Sequence, residues 1–380
     1  MRVIVVGGGI GGLTAALALL RAGHEVRVDE RAAGFGEIGA GVQLGPNATR
    51  VLHGLGLDAA LRRNAFSPVA TRFLRWEDDT VLTEWPLAGH MEARFGAPYY
   101  TVYRPNLITV LAAALPAGVV CFGKAVTAVE SWHPRPLVRF ADGTAETADV
   151  VVGADGIHSA VRGATVAETA ARFSGMCAYR ALVPADALSA EPAVRVWLGP
   201  NRHLVAYPVG RFVNLVCVVP ATDWPEESWT APGSLAELRA AFRGWSRELN
   251  DLLDHVREPV YRWGLYDREP LPRWSTATTT LVGDACHPML PFLAQGGAQA
   301  IEDGAALAAA LDGDLAPALA RYEARRRPHT ARIQRRSWDN NVDYHLPDGP
   351  AQRRRDAALA AGEGMNVESL SWIYGNDAGR

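Results

Sequence analysis

Near the start of the chain, Gly7-Gly8-Gly9-Ile10-Gly11-Gly12 sets five glycines in a G-x-G-x-x-G array. Glycines at that spacing have separate tasks. Gly7 takes a tight turn, Gly9 lets a pyrophosphate reach the backbone, and Gly12 lets the following helix press against the strand. The helix start then offers unpaired N–H groups and a positive dipole end to the phosphates. Glu30, at the end of the next predicted strand, supplies a carboxylate for ribose hydroxyls. This pattern points to a dinucleotide but does not separate NAD from FAD.

Two later segments carry acids at strand ends. Val150-Val151-Val152 runs into Gly153-Ala154-Asp155-Gly156, and Thr280-Leu281-Val282 runs into Gly283-Asp284. After the second come His287-Pro288-Met289-Leu290-Pro291 and then Gln295-Gly296-Gly297, opening a helix with Glu302-Asp303-Gly304. A different chemistry is spaced along one strand. His203, Val205 and Tyr207 fall two residues apart, so they share a face. A histidine can accept a phenolic proton near neutral pH, and a tyrosine hydroxyl can relay or orient it. Lining a half-buried sheet is the plainer use of the same pair.

The elements that must hold these residues follow from periodicity. Val3–Val6 reads as a buried strand, 13–22 as a helix and 25–29 as a second strand, the length a parallel crossover needs. Its early apolar stretch is interrupted by glycines, so it reads as this unit rather than as a leader. Residues 71–85 predict a hairpin turning at Asp78-Asp79, and 137–140 another turning at Asp142-Gly143. From 176 to 220 the pattern becomes antiparallel, with strands over 193–198, 203–209 and 212–219. Residues 107–115, 235–256 and 298–311 predict helices, and the last 50 residues are Arg-rich and mostly helical. The expected fold class is α/β: a Rossmann-like nucleotide-binding domain with an interleaved antiparallel-sheet domain and C-terminal helices. The expected division is 1–70, 101–168 and 272–330 for the first, 71–100 and 169–271 for the second, and 331–380 for the C-terminal segment.

Composition narrows the function. The 380 residues are 48% hydrophobic and 21% charged with a net charge of −3, an ordinary globular balance with no pull toward nucleic acid or membrane. No long apolar run predicts a membrane span. Cys121, Cys177, Cys217 and Cys286 are dispersed without C-x-x-C, which excludes a disulfide scaffold, a zinc ribbon and a redox-cysteine reductase, and suits the cytoplasm.

The glycine array, the Asp-Gly turn and the Gly-Asp turn, in this order, resemble the single-component (class A) flavin aromatic hydroxylases of the para-hydroxybenzoate hydroxylase fold. "GDACHPMLPFLAQGGAQAIEDGAAL", "RPNLITVL", "GADGIHSAVR" and "WIYGNDA" are most similar to the salicylate, 3-hydroxybenzoate and 6-hydroxynicotinate monooxygenase branch. The resemblance implies noncovalent FAD, with NADH or NADPH as cosubstrate. Gly7, Gly9, Gly12 and Glu30 would hold its ADP half, with Arg31 beside the adenosine and Val126 passing the adenine. Arg104 would lie against the FAD, Gln43 beside the flavin, and Asp284 would accept from a ribityl hydroxyl. Gly296 and Gly297 would present N–H groups to the flavin N1/C2=O edge. Asp155 is expected to be structural.

The implied reaction hydroxylates an electron-rich phenolic or heteroaromatic ring with O2 through a flavin C4a-hydroperoxide. His203 and Tyr207 would be the catalytic pair facing the substrate, with Pro291 and Phe292 as further substrate contacts. The 6-hydroxynicotinate type has a histidine where Phe292 stands and the 3-hydroxybenzoate type a glutamine where Pro291 stands, so the loss of both polar groups implies a more apolar or larger substrate. Epoxidation or oxidative decarboxylation uses the same chemistry. A flavin halogenase needs a lysine near the substrate, and the only lysine, Lys124, is expected near the adenine. A non-catalytic FAD-fold binding protein is disfavoured by the His–Tyr strand. Expected partners are the small aromatic substrate, O2 and NAD(P)H, with no nucleic acid or membrane, as a monomer or homodimer.

Overall fold

The computed structural model describes residues 1–36, 40–131, 135–166, 170–188, 191–222 and 231–378. Five parallel strands lie in the order Thr279–Leu281, Val150–Gly153, Arg2–Val6, Glu25–Glu30 and Val120–Phe122. Val3, Ile4, Val5, Val150, Val151 and Val152 have no exposure. They share one core with the helix residues Leu13, Leu17 and Ile301 and with Val129, Val138 and Phe140 of a small antiparallel sheet, so the run is apolar throughout.

The helix Ile10–Arg21 makes the first crossover. The helix Gly296–Ala310 lies along it in the same direction, Gly11 facing Ala300 and Gly304 facing Ala15. A Cβ on Gly304 would stand 2.8 Å from the Ala15 nitrogen, and one on Gly11 would stand 3.2 Å from the Ala300 Cβ. Small residues on both sides therefore allow backbone contact. Because the two helices are parallel, their N-terminal ends open at the same end of the parallel sheet.

A seven-stranded sheet runs in the order Tyr261–Asp267, Arg172–Pro184, Phe212–Pro220, Arg202–Val209, Val194–Gly199, Ala70–Arg75 and Val81–Pro86. All neighbours are antiparallel except Val194–Gly199 with Ala70–Arg75. One face, with Leu204, Ala206, Leu215 and Cys217, packs on Leu238, Phe242, Leu249 and Leu252. The opposite face carries Val216, Val218 and Tyr207 toward Leu290, Phe292, Ile333 and Tyr344. The expected turn at Asp79 has a φ of 61°, and Asn201, between the strands Val194–Gly199 and Arg202–Val209, a φ of 58°.

Two expectations change. The helix expected over 235–256 is two helices, Leu235–Ala241 and Arg247–Asp254. Gly244 turns with φ of 83° between them, and Ser246 starts the second by accepting from the Leu249 N–H at 3.4 Å. The helix Leu315–Tyr344 runs unbroken across 330 and 331, where a segment boundary was expected. One face of it clamps the loop after the Gly-Asp turn. Gln334, Ser337 and Asn340 donate to the carbonyls of Pro288, Leu290 and Phe292 at 3.0, 2.5 and 3.0 Å. The boundary expected at 168/169 lies outside the described residues. Among the described residues no helix is long and apolar enough to cross a membrane.

Candidate active site

The glycine turn is built as its spacing requires. Gly7 has a φ of +106°, and a Cβ there would stand 2.4 Å from the Ala154 oxygen. On Gly12 it would stand 1.9 Å from the Gly7 oxygen, whereas on Gly9 it would meet nothing within 4 Å. Gly7 and Gly12 are thus fixed by protein contacts, and Gly9 faces open space that a phosphate can enter. The Glu30 carboxylate accepts from the Gly8 N–H at 2.7 Å and from the Ala32 N–H at 2.8 Å. Each oxygen keeps a lone pair for a sugar hydroxyl, so Glu30 braces the turn as well as facing the ribose side. Arg31 is exposed at the end of the same strand. Gly123 and Lys124 donate to the Ala32 and Glu30 carbonyls at 2.9 Å each, bringing the chain that leads into Val126 to this edge. Lys124 itself pairs with Asp142 at 2.7 Å.

The other helix start completes a cradle. Gly296 and Gly297 open Gly296–Ala310, and Gln299 is the first residue to donate back, to Gln295 at 2.8 Å. The N–H groups before it are available to an anion or carbonyl. A Cβ on Gly296 would stand 3.9 Å from Asp284 Oδ1, and one on Gly297 would stand 3.4 Å from Val42. Asp284 is reachable from the cleft. The enclosing walls push its pKa up, against the pull of His287 and Arg104. Arg104, first residue of the helix Arg104–Ala113, feels both Asp284 and Glu30, while desolvation lowers its pKa. Gln43 is oriented by Tyr99, whose hydroxyl donates to its Oε1 at 2.7 Å. A turn for pyrophosphate, a carboxylate for each sugar-like hydroxyl region and a second helix start are a donor set that fits FAD.

Behind this helix start lies a buried charge network that the sequence reading did not contain. Arg326, 1% exposed, reaches Asp303 and Glu302 at 2.7 Å each. His287 bonds Asp303 at 2.6 Å. Burial pushes the Asp303 pKa up, but His287 and Arg326 outweigh it and hold the carboxyl at about 2. Asn47 and Gln295 are joined at 3.0 Å, tying the helix cap to the same cluster. Asp155 is structural: it accepts from Ser159 Oγ, Ala160 N–H and Val161 N–H at 2.5, 2.7 and 3.2 Å.

The seven-stranded sheet forms the opposing wall. Arg180 and Trp263 share its cleft-facing side, the guanidinium carbon 4.3 Å from a ring centroid of Trp263. The buried Arg180 Nε has no hydrogen-bond partner among the described residues. Desolvation lowers its pKa to about 10; the charged or titratable groups acting on it are Tyr207 and Arg104, not a carboxylate. Arg180, Trp263 and Leu265 line one cavity with Asp284, Met289 and Pro291. Arg180 sits mid-strand with no local motif to announce it, and the sequence reading missed it.

His203 and Tyr207 share that sheet face but do not meet, and neither is among the residues that line this cavity. Tyr207 packs on Gly41, where a Cβ would stand 2.5 Å from its ring and 2.8 Å from its hydroxyl. Asn214 Oδ1 accepts from the Gly41 N–H at 2.7 Å, which ties this sheet to the strand Gly41–Leu44 that carries Gln43. Burial pushes the Tyr207 pKa up, against the nearby Arg180. His203 Nδ1 lies 2.7 Å from His345 Nε2. The His203 ring is enclosed by Phe292 and Tyr344, each centroid 5.3 Å away. Pro291 therefore lines the cavity, while Phe292 packs on His203.

Comparison with known proteins agrees with this geometry. The FAD binding domain family matches residues 1–337. The 3-amino-4-hydroxybenzoate 2-monooxygenase PtmB3 of Streptomyces platensis is 45% identical, covering 99% of this chain and 96% of that protein. The 6-hydroxynicotinate 3-monooxygenase of Pseudomonas fluorescens is 39% identical over 89% of this chain and 91% of its own. Among solved structures, HpxO of Klebsiella pneumoniae in complex with FAD and uric acid superimposes with a TM-score of 0.88 at 25% identity, covering 100% of this chain and 96% of that one. With its two helix starts, braced glycine turn and ring-lined sheet, the chain belongs to the FAD binding domain family, among its FAD-dependent aromatic monooxygenases.

Proposed function

We propose that the substrate is an aromatic ring bearing both an ionisable hydroxyl and a carboxylate, of the 3-amino-4-hydroxybenzoate kind, and that Arg180 holds the carboxylate. The observation that carries this reading is the Arg180 guanidinium at the cavity wall without a carboxylate acting on it. A desolvated cation with a bare Nε is costly unless a bound anion answers it. The Trp263 ring lies 4.3 Å from the guanidinium carbon, and Arg180 lines the cavity that a planar acid would enter. The 45% identity to a 3-amino-4-hydroxybenzoate monooxygenase supports the same class.

When bound, FAD supplies hydride acceptance from NADH or NADPH and the activation of O2. The chain does the rest. Gly7–Gly12 and Glu30 would hold the ADP half, with Arg31 and the chain before Val126 at the adenosine edge and Arg104 against the FAD. Asp284 would accept from a ribityl hydroxyl, and the Gly296–Gly297 N–H groups would serve the ring edge where negative charge collects. Leu265, Met289 and Pro291 exclude water from the reacting centre. The phenol, with an unperturbed pKa near 10 by analogy with tyrosine, is made nucleophilic by giving its proton to His203. Tyr207 orients the ring from the Gly41 side. Phe292 shapes the His203 pocket, so the apolar character expected at this position acts through the histidine.

The test compares 3-amino-4-hydroxybenzoate with 2-aminophenol, which lacks only the carboxylate. Wild type should oxidise NAD(P)H faster and form hydroxylated product with the acid. Arg180→Met should raise KM for the acid about tenfold or more, the worth of a charged hydrogen bond of about 1.5–3 kcal/mol, and leave 2-aminophenol unchanged. Equal turnover of both compounds by wild type would sink the carboxylate reading.

A further inference from the structure

We propose that His345 is a positioning residue: it fixes His203 in the tautomer whose Nε2 is free to take the substrate's proton, and it receives the proton that His203 displaces. The inference rests on the reading of His203 as the proton acceptor and adds a residue 142 positions away in the chain.

The tautomers follow from one backbone carbonyl. His345 Nδ1 lies 2.6 Å from the Asn341 oxygen. A carbonyl only accepts, so Nδ1 carries the hydrogen and His345 Nε2 is left with its lone pair. His203 Nδ1 stands 2.7 Å from that lone pair. It must therefore donate, which leaves His203 Nε2 unprotonated. A side chain that fixes the tautomer of a catalytic histidine through its other nitrogen is how an acceptor is kept ready. His345 caps the helix Leu315–Tyr344, the same helix that clamps the Pro288–Phe292 loop, so the pair and the cavity wall are held by one element.

The proton balance is simple. The phenolic proton forms a bond to His203 Nε2 as the Nδ1 proton passes to His345 Nε2. His203 stays neutral and His345 becomes the cation. His203 is 2% exposed while His345 is only partly buried, so the proton moves outward. Phe292 and Tyr344 enclose the pair, and Arg355 is the charged side chain acting on His345. With no carboxylate acting on it, the imidazolium is not retained, and the proton is released to solvent.

The experiment uses the FAD-loaded enzyme with ¹⁵N-labelled histidine. Wild type without substrate should show His203 protonated at Nδ1 and bare at Nε2. His345→Phe should lose that tautomer preference and lower product formed per NAD(P)H about tenfold or more, while keeping FAD and its reduction. His345→Gln, whose amide oxygen can accept from Nδ1–H, should recover the tautomer and part of the coupling. The loss in His203→Ala/His345→Phe should not exceed that in His203→Ala. A bare Nδ1 in wild type overturns the proposal even if the Phe variant fails to fold. Full coupling in His345→Phe with loss in His203→Ala overturns it alone. Full coupling in His203→Ala removes the underlying reading of His203.

Discussion

Tyr207 closes on the backbone of Gly41: a Cβ at position 41 would stand 2.5 Å from the tyrosine ring. Gly41 thus sets how near the seven-stranded sheet comes to the strand carrying Gln43. Gly41→Ala should force Tyr207 or the strand aside. Overpacking of this kind costs about 1–3 kcal/mol. The expected outcome is a lower thermal midpoint together with a lower yield of product per NAD(P)H. An unchanged midpoint and yield would mean that the two strands separate freely.

Asp284 is the acid of the Gly-Asp turn, 3.9 Å from where a Cβ of Gly296 would sit. Asp284→Ala removes a charged acceptor that is reachable from the cleft. FAD affinity should weaken by about 1.5–3 kcal/mol. Titration of the apoprotein with FAD, followed by flavin fluorescence, reads this directly. Wild-type affinity in the variant would mean that the acid does not face the cofactor.

FAD is expected to be noncovalent, because the glycine turn and Glu30 account for its attachment by hydrogen bonds and dipoles. Acid precipitation should leave all flavin in the supernatant as FAD. Flavin retained in the washed pellet would contradict this.

Stability should fall as pH drops below about 6.5. Desolvation, and for His203 the neighbouring His345, hold the His203 imidazole well below its usual value, and burial with Arg355 brings His345 from 6.5 to about 4 despite the Asn341 carbonyl. Between those pH values the unfolded chain binds protons that the folded chain refuses, so unfolding free energy decreases as pH falls. Denaturant midpoints across that window should show the slope, and His345→Phe should reduce it. An equal slope in both proteins would show that His345 titrates alike in folded and unfolded chains.

His203→Ala and Tyr207→Phe should keep FAD and its reduction by NAD(P)H while releasing more hydrogen peroxide per NAD(P)H oxidised. General-base help is worth about 10²–10⁴ in rate, and raising the pH should restore part of it by ionising the phenol in solution. Unchanged peroxide yield in both variants would return the pair to packing roles.

What the amino-acid order determined by itself is what short-range rules govern. Glycine spacing dictates the phosphate turn because only glycine tolerates a φ of +106° and a Cβ position 2.4 Å from a carbonyl. Alternation in residues 203–207 puts His203 and Tyr207 on one face, since strand geometry has a period of two. The Gly-Asp and Gly-Gly pairs mark a strand end and a helix start for the same local reasons. Arg180, His345 and Arg326 carry no such mark. Each is one arginine or histidine among many on an ordinary strand or helix, and its role depends on which distant group lies opposite. Tertiary packing decided that Arg180 meets Trp263 without a carboxylate, that His203 faces His345 rather than Tyr207, and that Arg326 is buried against Glu302 and Asp303. Desolvation and hydrogen-bond partners give these side chains their chemistry, and both exist only once separate strands and helices have been brought together.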